Sequence, residues 1–315
     1  MSSSSLEGAR IVVTGGGGFL GSFVAERLAK IPHVRVLIPR HSQVDFTSSK
    51  ETYHYFANSK PDVVIHLAAK VGGIEANRRQ PGTFFRDNML MGLHVLEAAR
   101  IHEVRKVVIT GTVCAYPKFA PVPFREDDIW NGYPEETNAP YGVAKKALLV
   151  MAQSYRKEFG FNAVMVFPVN LYGPRDHFDA VTSHVIPAMI RKFIEAKERG
   201  DKEVPLWGNG SPTREFLYVE DAAEGIIACA EQYNDQDPVN LGSGEEISIR
   251  DLADVVAHHV GYTGTIVWDT TKPNGQPRRK LDTSRALERF GWYSSTKFKD
   301  GLRKTVDWYL THREE

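Results

Sequence analysis

Tyr141-Gly-Val-Ala-Lys145 sets a phenol and an ammonium four residues apart. On a helix, residues at that spacing share one face. A neighbouring ammonium favours the phenolate and so lowers the phenol pKa. Such a phenol can exchange a proton with a carbonyl or a hydroxyl. Thr110-Gly-Thr-Val-Cys114 lies upstream, at the end of an apolar run. If that run is a strand of a parallel sheet, Thr112 and Cys114 stand at its carboxyl end, where ligands bind. The Thr112 hydroxyl is then placed to hold a substrate oxygen beside Tyr141. Taken alone, a Tyr and a Lys four apart arise by chance on many helices. Thr112 alone is an ordinary turn residue, and Cys114 alone an ordinary small buried side chain.

The glycine-rich stretch Thr14-Gly-Gly-Gly-Gly-Phe-Leu-Gly21 gives the pair a context. Gly15, Gly18 and Gly21 stand in G-x-x-G-x-x-G phase between a β-branched run and a helical one. Glycine allows the tight turn and lets backbone N–H groups approach a pyrophosphate; the N–H groups of Phe19 and Leu20 then open the helix toward it. In strand–turn–helix context this predicts a dinucleotide site. Beside it, Tyr141 exchanges a proton while a nicotinamide exchanges a hydride. An acid at the end of the second strand would hold the ribose hydroxyl of NAD. This chain has Pro39-Arg-His-Ser42 there. Arg40, assisted by His41, suits the extra phosphate of NADP, although Arg40 also reads as a plain solvated charge.

These residues need a scaffold, and the hydrophobic pattern supplies one. Apolar runs at 10–14, 34–38, 62–67, 106–110 and 163–167 read as strands. They show little polar alternation, as strands buried on both faces do. Helical spacing falls between them at 19–30, 88–100 and 141–159. The predicted fold is therefore α/β, a Rossmann-type doubly wound parallel sheet with right-handed crossovers. The second half is less regular, with helices expected at 183–197, 219–232 and 247–260 and an extended segment at 214–219. The reading is one globular unit: residues 1–171, plus returning segments, form the NADP-binding domain, and 172–315 form mainly a smaller mixed α/β substrate lobe.

Composition narrows the function classes. The 315 residues carry 39 Lys plus Arg and 39 Asp plus Glu, which gives no electrostatic case for nucleic acid or an anionic membrane. Two cysteines, Cys114 and Cys229, cannot build a disulfide framework and fit a reducing compartment. Cysteine and histidine spacing suggests no metal site. No apolar run is long enough for a membrane span, and no signal-peptide pattern stands at the start. A cytoplasmic location is expected. Cys229, His66 and Tyr218 read as core residues.

The glycine turn, Tyr141, Lys145 and Thr112 resemble the extended short-chain dehydrogenase/reductase superfamily. More closely, nearly the whole chain resembles the family of GDP-L-fucose synthases, GDP-4-keto-6-deoxy-D-mannose 3,5-epimerase/4-reductases. The matching segments are Ala68–Ile74, Thr112–Lys118, Asn138–Lys145, Pro168–Pro174, Ser183–Pro187, Trp207–Gly210, Arg214–Phe216 and Lys272–Arg278. The Cys114 and His184 segments are the more specific ones. The resemblance implies a GDP-sugar substrate, NADPH, and an acid–base pair of Cys114 as base and His184 as acid. Ala68 and Pro168 would line the cofactor. Asn170, His184, Lys192, Trp207, Arg214 and Arg278 would face the nucleotide sugar, with Arg214 on the diphosphate. Superfamily analogy implies a homodimer paired through 88–100 and the Tyr141 helix. Thr112 stands where many members carry Ser, and Lys192 where some carry Arg, losing a bidentate fork.

Two other readings stay open. A redox-neutral nucleotide-sugar 4-epimerase would keep and recycle its cofactor and would not need the Cys114/His184 pair. A non-catalytic dinucleotide-binding redox sensor would not need Thr112, Cys114, Tyr141, Lys145 and His184 together.

Overall fold

A computed structural model describes residues 4–179, 183–272, 274 and 276–313. Pro273 and Gly275 of the Lys272–Arg278 segment lie outside the described residues. The first half alternates strand and helix: β1 Arg10–Thr14, α1 Phe19–Leu28, β2 Arg35–Leu37, α2 Ser49–Ser59, β3 Val63–His66, α3 Ile74–Arg79, α4 Pro81–Ile101, β4 Lys106–Thr110, α5 Ala139–Phe159 and β5 Ala163–Pro168. After it come β6 Asn170–Tyr172, α6 Val185–Arg199, β7 Glu203–Trp207, β8 Thr213–Tyr218, α7 Val219–Gln232, β9 Val239–Leu241 and β10 Glu246–Ser248. The chain finishes with α8 Ile249–Val260, β11 Thr265–Asp269, β12 Arg278–Arg279, α9 Ser284–Phe290 and α10 Phe298–His312.

Six parallel strands form the main sheet in the order β2-β1-β3-β4-β5-β9. The chain winds from β1 outward to β2, then returns to the other side of β1 for the rest. That reversal between β1 and β3 opens a crevice at the strands' carboxyl ends, and the glycine turn lies there. α1 packs against α7, and α4 packs against α2 and α5. The sheet is thus covered by helices, which is why Ile11, Val64, Val108 and Val166 are buried without alternation. Predicted and observed strands agree to within a residue or two at each end.

Two boundaries and one unexpected helix differ for physical reasons. α4 begins at Pro81, seven residues before the expected start, because proline suits the first helical turn. β2 is shorter than expected: it is the edge strand, and Arg35 is exposed. α2 escaped the pattern because it buries only Thr52 and Phe56; local capping by Ser48 onto the Glu51 N–H defines its start instead.

The chain builds two hydrophobic cores. The larger surrounds the six-stranded sheet and takes in Leu217, Ile226 and Leu241 from the second half. The smaller gathers Tyr172, Ile190, Phe193, Tyr218, Val256 and Leu302. β8 runs between them: Leu217 joins the first core, Phe216 and Tyr218 the second, as strand alternation requires. β6, β10 and β12 flank β8 in a small sheet, and β7 pairs in parallel with β11. Cys229 and Tyr218 are buried as expected of core residues.

Candidate active site

The site assembles where β1, β3, β4 and β5 end. At β1, Gly15 has φ +71°, a left-handed conformation that strains other residues. A Cβ there would lie 2.8 Å from the Ala68 nitrogen, so Ala68 packs directly on the turn. A Cβ on Gly21 would lie 2.0 Å from the Gly15 carbonyl oxygen. Gly15 and Gly21 are thus needed for the turn itself. Gly17 has open space around it, and Gly18 is the N-cap of α1 with no side chain to cap it. The N–H groups of Phe19 and Leu20, in the first turn of α1, have no intrahelical partner and stand beside that open space. That donor set fits the pyrophosphate of a dinucleotide. Gly16 was not singled out by the glycine phase, yet its Cβ would lie 2.8 Å from Ile38.

Arg40 and His41 follow β2 and are both exposed. The turn is closed by the Arg40 N–H donating to Gln43 Oε1 at 2.9 Å, which leaves the guanidinium free of any ion pair among the described residues. Pro168 is buried at the end of β5, beside Leu241 of β9.

At the end of β4 the Thr112 hydroxyl accepts from the Cys114 N–H at 3.2 Å, capping a single 3-10 turn that presents the cysteine. Gly142 lets α5 press against that turn: a Cβ would lie 2.4 Å from the Cys114 carbonyl oxygen. Tyr141 is thereby brought to Thr112 and Cys114. Its phenol is pushed above the usual range by burial and by the neighbouring Cys114, and a hydrogen bond with Thr112 pulls the other way. The expected lowering by Lys145 is not observed. The Lys145 nitrogen lies 6.0 Å from the Tyr141 ring centre, and burial dominates both groups. Lys145 itself is pushed down to about 8 by burial. It remains largely an ammonium at neutral pH.

His66 sits under this pair, fully buried and pushed down to about 3 by burial and by Lys145. Its Nδ1 meets the Thr14 hydroxyl at 2.8 Å, and that hydroxyl also accepts from the Ala68 N–H at 3.2 Å. The imidazole is neutral and ties β1 to β3, a structural role.

The small sheet brings two guanidiniums to the cysteine. Arg279 Nη1 donates toward Cys114 Sγ at 3.7 Å. Arg214 pairs in register with Arg279. It is pushed down to about 10, by burial first and by the Arg279 charge second, with Cys114 acting against both. Gln276 holds the Arg279 fork through Oε1, at 3.2 Å from Nε and 2.8 Å from Nη2, and donates to the Lys118 carbonyl at 3.1 Å.

Other expected substrate residues fare differently. Arg278 does not join the cluster: it is exposed and held bidentately by Glu246, at 2.9 and 2.7 Å. Neighbouring residues on a strand face opposite ways, so Arg279 rather than Arg278 is turned toward Cys114. Sequence reasoning missed it because two adjacent arginines are indistinguishable without the register. Asn170 is half-buried, and its amide N–H donates to the Glu215 carbonyl at 2.9 Å, which ties β6 to β8. Lys192 is half-buried and its ammonium donates to the Pro205 carbonyl on β7, so the structure does not direct it to the arginine pair. Trp207 is exposed at the end of β7, with the Lys272 ammonium 5.8 Å from its ring. His184 is the exposed N-cap residue of α6; desolvation by the site and then the charge of His177 hold its pKa below the ordinary histidine range.

Comparison with known proteins agrees with this geometry. The NAD dependent epimerase/dehydratase family matches residues 11–242. The chain is 41% identical over 310 residues to GDP-L-fucose synthase 1 of Arabidopsis thaliana, covering 98% of this chain and 96% of that one. It is 36% identical over 314 residues to GDP-L-fucose synthase of Escherichia coli K12, covering 97% and 98%. The crystal structure of a GDP-L-fucose synthetase from Naegleria fowleri bound to NADP superposes with a TM-score of 0.90 at 27% identity, covering 99% of this chain and 97% of that one. With its dinucleotide turn, its Tyr141/Lys145 helix and its Cys114 at the end of β4, the chain belongs to the NAD dependent epimerase/dehydratase family and, within it, to the GDP-L-fucose synthases.

Proposed function

We propose that this enzyme epimerises GDP-4-keto-6-deoxy-D-mannose at carbons 3 and 5 and then reduces carbon 4 with NADPH, giving GDP-L-fucose. The observation that carries the reading is the meeting of a thiol, a phenol and two guanidiniums at the end of β4. A simple 4-epimerase has no use for the thiol, and a sensor has no use for the set.

The 4-keto group acidifies the hydrogens on carbons 3 and 5. Cys114, as thiolate, removes one, and the electron pair moves onto the carbon-4 oxygen as an enolate. Tyr141 and Thr112 hydrogen-bond that oxygen and stabilise the charge. His184 returns a proton to the opposite face of the ring carbon, which inverts it. Before the second carbon is inverted, Cys114 gives up the proton it took and His184, exposed to solvent, takes up a new one. The same pair then serves the second carbon. NADPH, held by the glycine turn and Arg40, supplies the hydride that makes the ketone an alcohol. Tyr141 gives its phenolic proton to the carbon-4 oxygen, and Lys145, on the same helix face with its ammonium 6.0 Å from the Tyr141 ring centre, is the cation nearest the phenolate left behind. Arg214 and Arg279 hold the diphosphate, and Trp207 borders the base.

We also read the protein as a cytoplasmic homodimer. Phe85 and Leu93 on α4 and Val150 on α5 leave apolar side chains exposed on the two helices, which suits isologous pairing.

The test is incubation with NADPH and the keto sugar, following the reduced-nicotinamide absorbance and identifying the product. Stoichiometric oxidation with GDP-L-fucose formed is the expected result. No oxidation, with an epimerised product, would replace this reading by the redox-neutral one.

A further inference from the structure

Glu215 is fully buried in β8 and has no cationic side chain bonded to it among the described residues. Its oxygens are taken by backbone donors. The Leu281 N–H donates to Oε2 at 2.7 Å, and the Gly244 N–H to Oε1 at 2.7 Å. Burying a carboxylate is costly unless its lone pairs are satisfied, so a residue in this state is held there by what it organises.

What it organises is the pair of arginines. Leu281 lies two residues after Arg279, so one oxygen of Glu215 fixes the strand that carries Arg279. Arg214 is the residue just before Glu215, and it pairs in register with Arg279. The two guanidiniums repel each other, and among the described residues no carboxylate pairs with Arg214, whose guanidinium N–H donates to the Thr213 carbonyl at 2.7 Å. Gly242 leaves room for the anchor: a Cβ there would lie 2.4 Å from Glu215 Oε1. Lys280, between Arg279 and Leu281, adds a favourable but distant charge.

We infer that Glu215 is a positioning residue for diphosphate binding, a buried clamp that holds Arg214 and Arg279 side by side against their repulsion and beside Cys114. This rests on the GDP-sugar reading for the nucleotide and on the structure for the clamp. Glu215 touches no substrate.

The test compares full-length wild type with Glu215→Gln, measuring dissociation constants for GDP, GMP and NADPH by calorimetry, and melting temperature. The glutamine keeps the shape but turns an NH2 toward a backbone N–H that needs an acceptor. GDP affinity is expected to fall at least tenfold, GMP affinity less than threefold, and NADPH affinity less than twofold, because only the bridging of two phosphates is lost. Glu246→Gln, which frees Arg278 on the same sheet, is expected to leave GDP affinity within twofold. If Glu215→Gln does not fold, Gly242→Ala displaces the carboxylate without changing its charge and is expected to show the same GDP-selective loss. Unchanged GDP affinity in a folded variant overturns the proposal, and so does an equal loss for all three ligands, which marks a general scaffold role. Wild type that binds UDP or ADP in place of GDP moves the same comparison to that nucleotide; the base assignment then falls and the clamp is still judged. Wild type that binds no nucleoside diphosphate overturns both.

Discussion

The guanidinium of Arg279 donates toward the sulfur of Cys114 at 3.7 Å across 165 positions of chain. Cys114 stands on the turn that follows β4 of the large sheet, and Arg279 on β12 of the small one. The contact therefore links the small sheet to the turn at the carboxyl end of β4. A thiolate formed at Cys114 would have a cation beside it.

Cys114→Ser keeps the shape of the 3-10 turn and removes the thiol. Epimerisation should slow by at least a hundredfold, since a hydroxyl is a far weaker base. NADPH affinity should stay within twofold. Proton exchange from heavy water into carbons 3 and 5 measures the first and calorimetry the second. An equal loss of both would make Cys114 structural.

Tyr141→Phe should lower the reduction rate by three orders of magnitude or more, while Thr112→Ala should cost about tenfold, the worth of one hydrogen bond. Lys145 adds a pH limb. Its pKa is about 8 in the folded protein, so its ammonium is lost as pH rises through that value. The single-turnover reduction rate should therefore fall above pH 8. Lys145→Met should be slow throughout and lack that limb.

The glycines separate structure from binding. Gly21→Ala forces a Cβ onto the Gly15 carbonyl and should destabilise the protein by roughly 3 kcal/mol. Gly17→Ala meets no protein atom and should melt like the wild type, yet lose NADPH affinity by tenfold or more because the methyl enters the cradle. Paired melting curves and NADPH titrations decide this. A Gly17→Ala variant with full NADPH affinity would place the pyrophosphate elsewhere.

Asp176 is buried in the loop after β6 and is pushed up to about 7 by burial, against a hydrogen bond from the His177 N–H. Its other oxygen has no hydrogen-bond partner among the described residues. In the unfolded chain it ionises at ordinary acidic pH. Between that range and pH 7 the folded state binds the extra proton, so this group's contribution to stability falls as pH rises through the window. Asp176→Asn has no proton to lose. Its melting temperature relative to the wild type should rise by several degrees between pH 4 and pH 8. A constant difference would remove Asp176 from the pH dependence.

The order of elements in the large sheet was legible in the sequence because burial on both faces writes continuous apolar runs, and because glycine spacing at Gly15 and Gly21 reports backbone that no side chain can enter. Tyr141 and Lys145 were legible as a pair because helix geometry alone fixes an i, i+4 relation. The sequence by itself thus determined the doubly wound sheet, the dinucleotide turn and the helix that faces it. The pKa values of that pair were decided by tertiary burial, which outweighed the local effect of one side chain on the other. The tertiary structure alone also decided between Arg278 and Arg279, since strand register, set by pairing with β8, turns one toward Glu246 and the other toward Cys114. It likewise assigned the Asn170 amide to a strand-tying bond and Lys192 to a carbonyl on β7. Long polar side chains carry no periodic signal of their own. Their partners are chosen by whatever the packed backbone places within reach.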